Sequence, residues 1–352
     1  MSDVIRLDRY RLLGRSGLRV SPVALGTQTF GVEWGWGTQR DEARQIFDAY
    51  IERGGNFIDT ANVYTNGTSE TFLGQFMAGE RDRLVVSTKY TLPDAADDPN
   101  SGGNHRKSMV RSVEKSLRRL NTDYIDLLFL HAWDATTPVE EVLRAMDDLV
   151  RSGKVLYLGI SNTVAWQVSR MQAIAELRGY APLIAMQIEY NLIQRTGERD
   201  LMPMAREMGL GLMPYSPLAE GILAGRYSKS DIDARDAVAD GTRKTTVIAG
   251  GAVSTRSLAI ADVVRRIARD MDKPPAQVAI AWVLQNPNVT SMLIGARTLK
   301  QFEENLGALD LSLTPAHLEQ LSAASALELG YPHDFYNWLM NSGLMLSSMR
   351  LG

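Results

Sequence analysis

A chain of 352 residues, 45% of them hydrophobic, can bury one large core, and its formal net charge of −3 leaves no surplus of positive charge to neutralise a phosphate backbone. Acidic and basic residues are interspersed without a basic block, so nucleic acid is not expected as a partner. With no cysteine there is no disulfide framework, thiol nucleophile or thiolate metal site, and any chemistry must use oxygen and nitrogen groups.

In chain order, residues 1–10 alternate charged and apolar positions without the hydrophobic stretch of a secretion signal. Apolar runs such as 125–130 and 155–160 fall well short of the roughly 20 residues that cross a bilayer. A cytoplasmic protein with no membrane insertion is therefore expected. Residues 10–21 place Arg15-Ser16-Gly17 between two short β-rich pieces, which predicts an N-terminal β-hairpin closing the floor of whatever follows.

Thereafter apolar runs of strand length alternate with stretches whose apolar residues recur every three or four positions. Strands are predicted at 22–26, 56–59, 83–88, 125–130, 155–160, 184–188, 210–215 and 290–294, and helices at 41–53, 69–77, 107–120, 139–151, 164–178 and 298–306. Such alternation predicts parallel strands joined by helices, and runs that are apolar at every position predict strands covered on both faces. The expected fold is an α/β (β/α)8 TIM barrel with extended rim loops, residues 1–352 forming one domain. A doubly wound open sheet is the rival, but no Gly-x-Gly-x-x-Gly follows the first strand, where a dinucleotide fold needs it. Three stretches break the repeat: 91–105, 219–255 and the tail 313–352, which is expected near the active-site rim. Loops this long in a compact barrel are usually lids or clamps, or else disordered.

In such barrels the chemistry sits where strands end. The second predicted strand runs into Asp59-Thr60-Ala61-Asn62-Val63-Tyr64, the third into Lys89 and the fourth into His131. Singly, an Asp there is often a helix cap, a Tyr a rim residue and a Lys a solvated charge. Four polar groups at the ends of three consecutive apolar strands are harder to explain by packing, because buried charge is costly without partners. A tyrosine with an ordinary pKa near 10 is a poor acid, and an ammonium from Lys89 is expected to lower that value while Asp59 keeps Lys89 protonated. His131 can donate a hydrogen bond to a carbonyl oxygen and orient it. Together these make a proton donor aimed at a developing alkoxide. His105, His131, His317 and His333 lie far apart without metal-ligand spacing, so no metal site is expected.

The segment Gly55-Asn56-Phe57-Ile58-Asp59-Thr60-Ala61-Asn62-Val63-Tyr64, followed by Ser69-Glu70 and Leu73-Gly74, resembles the signature of the aldo-keto reductases. Lys89, His131 and Gly159-Ile160-Ser161-Asn162 extend the likeness from Leu25 to Asn305. Within the family, the pattern is closest to bacterial members that resemble potassium-channel beta subunits. The resemblance implies a catalytic tetrad of Asp59, Tyr64, Lys89 and His131 with Tyr64 as general acid. It also implies NADPH lying extended across the barrel mouth, and so an NADPH-dependent oxidoreductase that reduces an aldehyde or ketone to an alcohol.

Carried over by motif, Ser161, Asn162 and Gln187 would hold the nicotinamide carboxamide and Tyr215 would stack on its ring, with Thr27 and Gln28 touching ribose or nicotinamide. Ser216, Leu218, Ala219, Gly225 and Arg226 would form the pyrophosphate loop. Gly295, Arg297, Gln301, Glu304 and Asn305 would hold the adenosine end, with Arg297 on the 2′-phosphate. A guanidinium reads phosphate through a bidentate fork, which favours NADPH over NADH.

Phe30, Trp34, Trp36, Tyr90 and Trp133 crowd the predicted rim, and the tail adds Phe335, Tyr336 and Trp338. Trp34, Tyr64, His131 and Trp133 are the expected substrate contacts, in a pocket suited to an aromatic aldehyde, a quinone or a cyclic ketone, although about half of these rings could simply pack on the barrel. An oligomer is compatible with the sequence. The alternatives are a nucleotide-sensing regulatory subunit with little turnover, or a lyase that uses neutral Lys89 as a nucleophile. Asp59 beside Lys89 acts against the lyase.

Overall fold

The computed structural model describes residues 5–233 and 243–344. An antiparallel hairpin, β1 (Arg11–Leu12) and β2 (Arg19–Val20), precedes eight parallel strands: β3 (Val23–Gly26), β4 (Phe57–Asp59), β5 (Val85–Tyr90), β6 (Ile125–Leu130), β7 (Val155–Ser161), β8 (Leu183–Glu189), β9 (Gly211–Tyr215) and β10 (Met292–Ile294). Strands β3 to β9 pair in chain order and β10 pairs with β3. The ring closes where Leu212 of β9 bridges Val289 and accepts a hydrogen bond from Thr290 N at 2.9 Å. This is the (β/α)8 barrel expected from the alternation.

The helices are α1 (Arg40–Glu52), α2 (Thr68–Phe76), α3 (Arg106–Leu120), α4 (Val139–Arg151), α5 (Ala165–Arg178), α6 (Leu201–Met208), α7 (Lys229–Asp233), α8 (Arg243–Ala249), α9 (Thr255–Asp270), α10 (Pro275–Leu284), α11 (Leu299–Leu306), α12 (Pro315–Ala324) and α13 (His333–Ser342). Six match predicted helices to within a residue or two. The third strand lies two residues later than expected and the last one begins two later. Neither α9 nor α10 was foreseen, nor were α6, α12 and α13. The segment 219–255, expected as a loop, carries α7 and α8, and its residues 234–242 lie outside the described residues, as do 1–4 and 345–352.

Two buried layers explain the continuous apolar runs. Leu25, Ile58, Val86, Leu128, Leu158 and Met186 face outward and join the helices in one core, while Ala24, Phe57, Val85, Leu127, Ala185 and Met213 alternate with them and fill the barrel interior. Side chains of a strand alternate between faces, so burying both faces favours apolar residues at nearly every position, and the polar ones left inside, such as Asp126 of β6, are paired. Leu13 and Val20 of the hairpin belong to the interior cluster, which makes the hairpin the floor that the sequence suggested. Its turn sits so close that a Cβ on Gly14, at φ 58°, would come within 2.2 Å of Ile184 O and 2.6 Å of Gly209 O. The polar layer at the opposite mouth therefore begins directly above a filled apolar interior. Among the described residues no helix is long and apolar enough to cross a membrane.

Candidate active site

Asp59, Lys89 and Gln187 project inward from the ends of β4, β5 and β8, one layer above the apolar interior. Lys89 is fully buried, and its Nζ donates to Asp59 Oδ2 at 2.5 Å, to Thr60 O at 2.7 Å and to the Tyr64 hydroxyl oxygen at 3.2 Å. Asp59 Oδ1 accepts from Ser87 Oγ at 2.7 Å and from Gln187 Nε2 at 3.0 Å, so both carboxylate oxygens are satisfied. The Tyr64 and His131 rings meet edge to face with centroids 6.0 Å apart. The four residues expected as a tetrad thus converge on one barrel mouth.

Their electrostatics differ from the expectation in one respect. Burial raises the Tyr64 pKa above its ordinary value and the Asp59 charge adds to this, while the Lys89 ammonium opposes both without winning. The expected lowering is therefore corrected: Lys89 is already shared with Asp59, and it cannot offset the loss of water around the phenol. Burial also acts to deprotonate Lys89, but Asp59 and Tyr64 together leave its pKa above the ordinary value. Burial and then the Lys89 charge push His131 down to about 3, so its ring is neutral.

Tyr64 sits on a turn stitched from several sides. Thr65, Asn66 and Gly67 follow it with φ of 45°, 57° and 94°, the left-handed region that only glycine enters freely. The turn is held by Arg119 of α3, whose Nη1 donates to Asn62 O at 2.9 Å and to the fully buried Glu70 at 3.1 Å. Glu70 also accepts from Thr88 Oγ1 at 2.6 Å, beside Lys89. Ser69 donates to Thr27 O at 2.8 Å, and the Thr27 hydroxyl lies 3.0 Å from Asp59 O. The Ser69-Glu70 pair of the motif therefore ties α2 to the strand ends. The Thr27 hydroxyl, expected to touch a cofactor, is spent on this latch.

A cleft of about 780 Å³ runs from Asp59, Tyr64 and His131 past Asn162, Gln187 and Tyr215 to Arg226 and Arg297. Of the residues expected to hold a cofactor, Thr27, Gln28, Asp59, Asn162, Gln187, Tyr215, Ser216, Leu218, Arg226, Gly295, Arg297, Gln301, Glu304 and Asn305 line it. Ser161, Ala219 and Gly225 stand beside it, next to lining neighbours. Several of the loop amides expected around pyrophosphate are bonded within their own turn, Ala219 N to Ser216 O and Gly221 N to Leu218 O among them. Asn162 is also engaged at both ends, donating to His131 O and accepting from the Tyr215 hydroxyl, each at 2.9 Å.

The donor set fits an extended dinucleotide. The Ser161 hydroxyl and His131 Nδ1 are buried with no hydrogen-bond partner. Gly26, at the end of β3, and Gly295, directly after β10, both line the cleft, and a Cβ on Gly295 would come within 3.1 Å of Gly26 O, so the two backbones pass too closely there for a side chain to be added without a shift. The turn after β10 is fixed from the first rim loop, with Thr29 donating to Ala296 O at 2.7 Å and Thr38 to Arg297 O at 3.2 Å.

Sequence reasoning missed Pro274, Pro275, Ala276 and Ile280, which line the cleft from the start of α10, and also Lys244 and Tyr227. For α10 the signal was present, since Pro274 and Pro275 suit the start of a helix.

Trp34, expected as a substrate contact, is not among the residues that line the cleft; its ring meets the Tyr64 ring edge to face at 6.4 Å and packs on Trp36 at 5.5 Å. Trp133 is half-buried against the outer core and does not line the cleft, and none of the described tail residues 313–344 does. Tyr90 is fully buried.

The model of the aldo/keto reductase family matches residues 22–326. An aryl-alcohol dehydrogenase [NADP(+)] of Phanerodontia chrysosporium is 36% identical over 344 residues, covering 93% of this chain and 89% of its own length. A norsolorinic acid reductase of Aspergillus flavus is 36% identical over 340 residues, covering 94% and 84%. Norsolorinic acid reductase B of Dothistroma septosporum is 35% identical over 346 residues, covering 95% and 86%.

Proposed function

The chain belongs to the aldo/keto reductase family, an oxidoreductase family that uses NAD(P)H on small carbonyl compounds, and we propose that it is an NADPH-dependent reductase of aromatic aldehydes or ketones, working as one barrel domain with Tyr64 as general acid. The observation that carries this reading is the Lys89 ammonium held between Asp59 and the Tyr64 oxygen, at the floor of a cleft whose far end bears Arg297. NADPH, when bound, supplies the hydride.

The rest follows from the chain's own groups. Because Tyr64 accepts from Lys89, its own proton is free to be given away, and burial keeps that proton in place until an oxygen in the cleft gains negative charge. Lys89 then stabilises the phenolate left behind, and Asp59 keeps Lys89 charged as it does so. A neutral His131 donates to the same oxygen and orients the carbonyl without adding a competing charge. Gln187 fixes Asp59 through one end of its amide and leaves the oxygen end for the nicotinamide side.

For NADPH rather than NADH the support is Arg297, which lines the cleft with a guanidinium that has no protein partner among the described residues, together with the NADP(+) in the name of one relative. For an aromatic substrate the support is the Trp34–Trp36 pair packed against the Tyr64 ring, and relatives named for aryl alcohols and norsolorinic acid.

Tyr64→Phe tests the acid. Steady-state reduction of 4-nitrobenzaldehyde with NADPH is expected to fall by roughly 10²–10⁴-fold, the usual worth of a positioned proton donor, with NADPH affinity unchanged. Turnover equal to the parent would remove Tyr64 from the mechanism.

A further inference from the structure

The chain leaves β5 through a backbone conformation that threonine rarely adopts. Thr91 has φ 107°, a region open to glycine and an outlier for a β-branched residue, which persists only where its surroundings over-determine it. Those surroundings centre on one buried amide. Asn104, fully buried near the end of the 91–105 loop, donates from Nδ2 to Thr91 Oγ1 at 3.0 Å and to Ala132 O at 2.9 Å. Its Oδ1 accepts from Asp134 N at 2.8 Å, and its own N–H donates to Asp134 Oδ2 at 2.7 Å. Gly103 N adds a bond to Thr91 O at 2.7 Å.

The preceding glycines make this approach possible. A Cβ on Gly102 would lie 3.0 Å from Thr91 O, and one on Gly103 would lie 3.2 Å from Asp134 Oδ2. Asp134 in turn closes its own turn by accepting from Thr136 N at 2.8 Å and Thr137 N at 2.9 Å. Thr91 stands two residues after Lys89, and Ala132 directly follows His131. The two strand exits also touch each other, since His131 N donates to Tyr90 O at 3.2 Å. One side chain that lines no part of the cleft thus fastens the exits of both β5 and β6.

We propose that Asn104 is a positioning residue: by holding Thr91 in a left-handed conformation and the 132–137 turn against it, it sets where Lys89 stands beneath Tyr64 and where His131 stands in the cleft lining. The loop is then a clamp on the catalytic strands. This inference rests on the roles given above to Lys89 and His131. A fully satisfied buried amide suits the task, because its geometry is specified by each of its bonds, whereas apolar filler would leave Thr91 free to relax.

The test compares Asn104→Ala, Thr91→Gly and the double variant in the full chain. Asn104→Ala is expected to lower kcat for 4-nitrobenzaldehyde by about 30-fold, the scale on which misplacement well under or near 1 Å acts, with the NADPH dissociation constant, read by fluorescence titration, within about twofold of the parent. Thr91→Gly alone is expected to stay within about twofold in kcat, because glycine adopts φ 107° unaided. The double variant is then expected to regain about fivefold or more of the loss, a rescue that a packing role would not give.

Full kcat in Asn104→Ala overturns the proposal. So does a double variant no better than Asn104→Ala, including the case where neither folds. Structure determination of Asn104→Ala gives a readout free of turnover: a negative φ at Thr91 is expected, and φ still near the parent's overturns the hold. If the parent reduces no carbonyl, or Tyr64→Phe matches it, the reading of the tetrad fails. The backbone of Asn104→Ala and its urea midpoint against the double variant still decide the strain claim.

Discussion

At the β4–β6 end of the cleft each buried charge has a protein partner: Lys89 meets Asp59 at 2.5 Å, Asp59 is bonded again by Ser87 and Gln187, and Glu70 is paired with Arg119. At the β9–β10 end, Arg226 and Arg297 line the same cleft with guanidinium groups that find no partner among the described residues. The first end is built as a closed electrostatic circuit whose geometry is set before anything enters. At the second end Arg226 is exposed and Arg297 partly so, and a guanidinium within reach of water costs little unpaired and can still bind an anion. On the function proposed above, preorganisation is concentrated where charge would develop during reaction, and binding capacity where a phosphate of the cofactor would bring its charge.

The comparison breaks most sharply at Lys89. Replacing it with Met leaves Asp59 buried without its counter-ion, and removing one partner of a buried pair costs about 3–5 kcal/mol. A large drop in the urea midpoint is expected together with loss of carbonyl reduction. An unchanged midpoint would mean that Asp59 does not depend on the ammonium, and the closed-circuit view would be wrong.

Arg297→Ala probes the other end, where stability should hardly move. Hydrogen bonds to a charged group contribute about 1.5–3 kcal/mol, so NADPH affinity is expected to fall by roughly 10- to 150-fold while NADH affinity changes little. Fluorescence titration with both cofactors reads the difference. Equal losses for the two would take Arg297 off the 2′-phosphate.

How much of this was legible in the sequence follows the same division. The barrel and the convergence of Asp59, Tyr64, Lys89 and His131 were readable because strands covered on both faces leave largely apolar runs, and a polar residue ending such a run stands out. Helix α10 escaped because it is buried nearly all round, so Ala276 to Leu284 show no polar face to set a period. Asn104 escaped because, between Gly103 and His105, it reads as an ordinary loop residue; only the fold brings it against Thr91 and Asp134. The direction of the Tyr64 shift was misjudged because a pairwise view saw Lys89 beside the phenol and missed both the burial and the prior claim of Asp59. Sequence order shows which charges can meet, but the depth at which they meet decides which effect prevails.

His131 carries the smallest expected effect and refines the comparison within the closed end. Burial first and the Lys89 charge second hold its folded pKa at about 3, against an ordinary value of 6.5. Between those two values the unfolded chain binds a proton that the folded chain refuses, so stability rises with pH across the window and the contribution is lost as pH falls below about 6.5. The slope is about 1.4 kcal/mol per pH unit for one proton, roughly 2 kcal/mol between pH 6.5 and pH 5. Urea unfolding of the parent and of His131→Asn at both pH values isolates this contribution: the parent should lose more stability on acidification than the variant by about that amount. Identical pH slopes would show that the ring titrates normally in the fold. In that case the imidazole would be charged at mildly acidic pH, and His131 could not serve as the neutral donor to the carbonyl oxygen there.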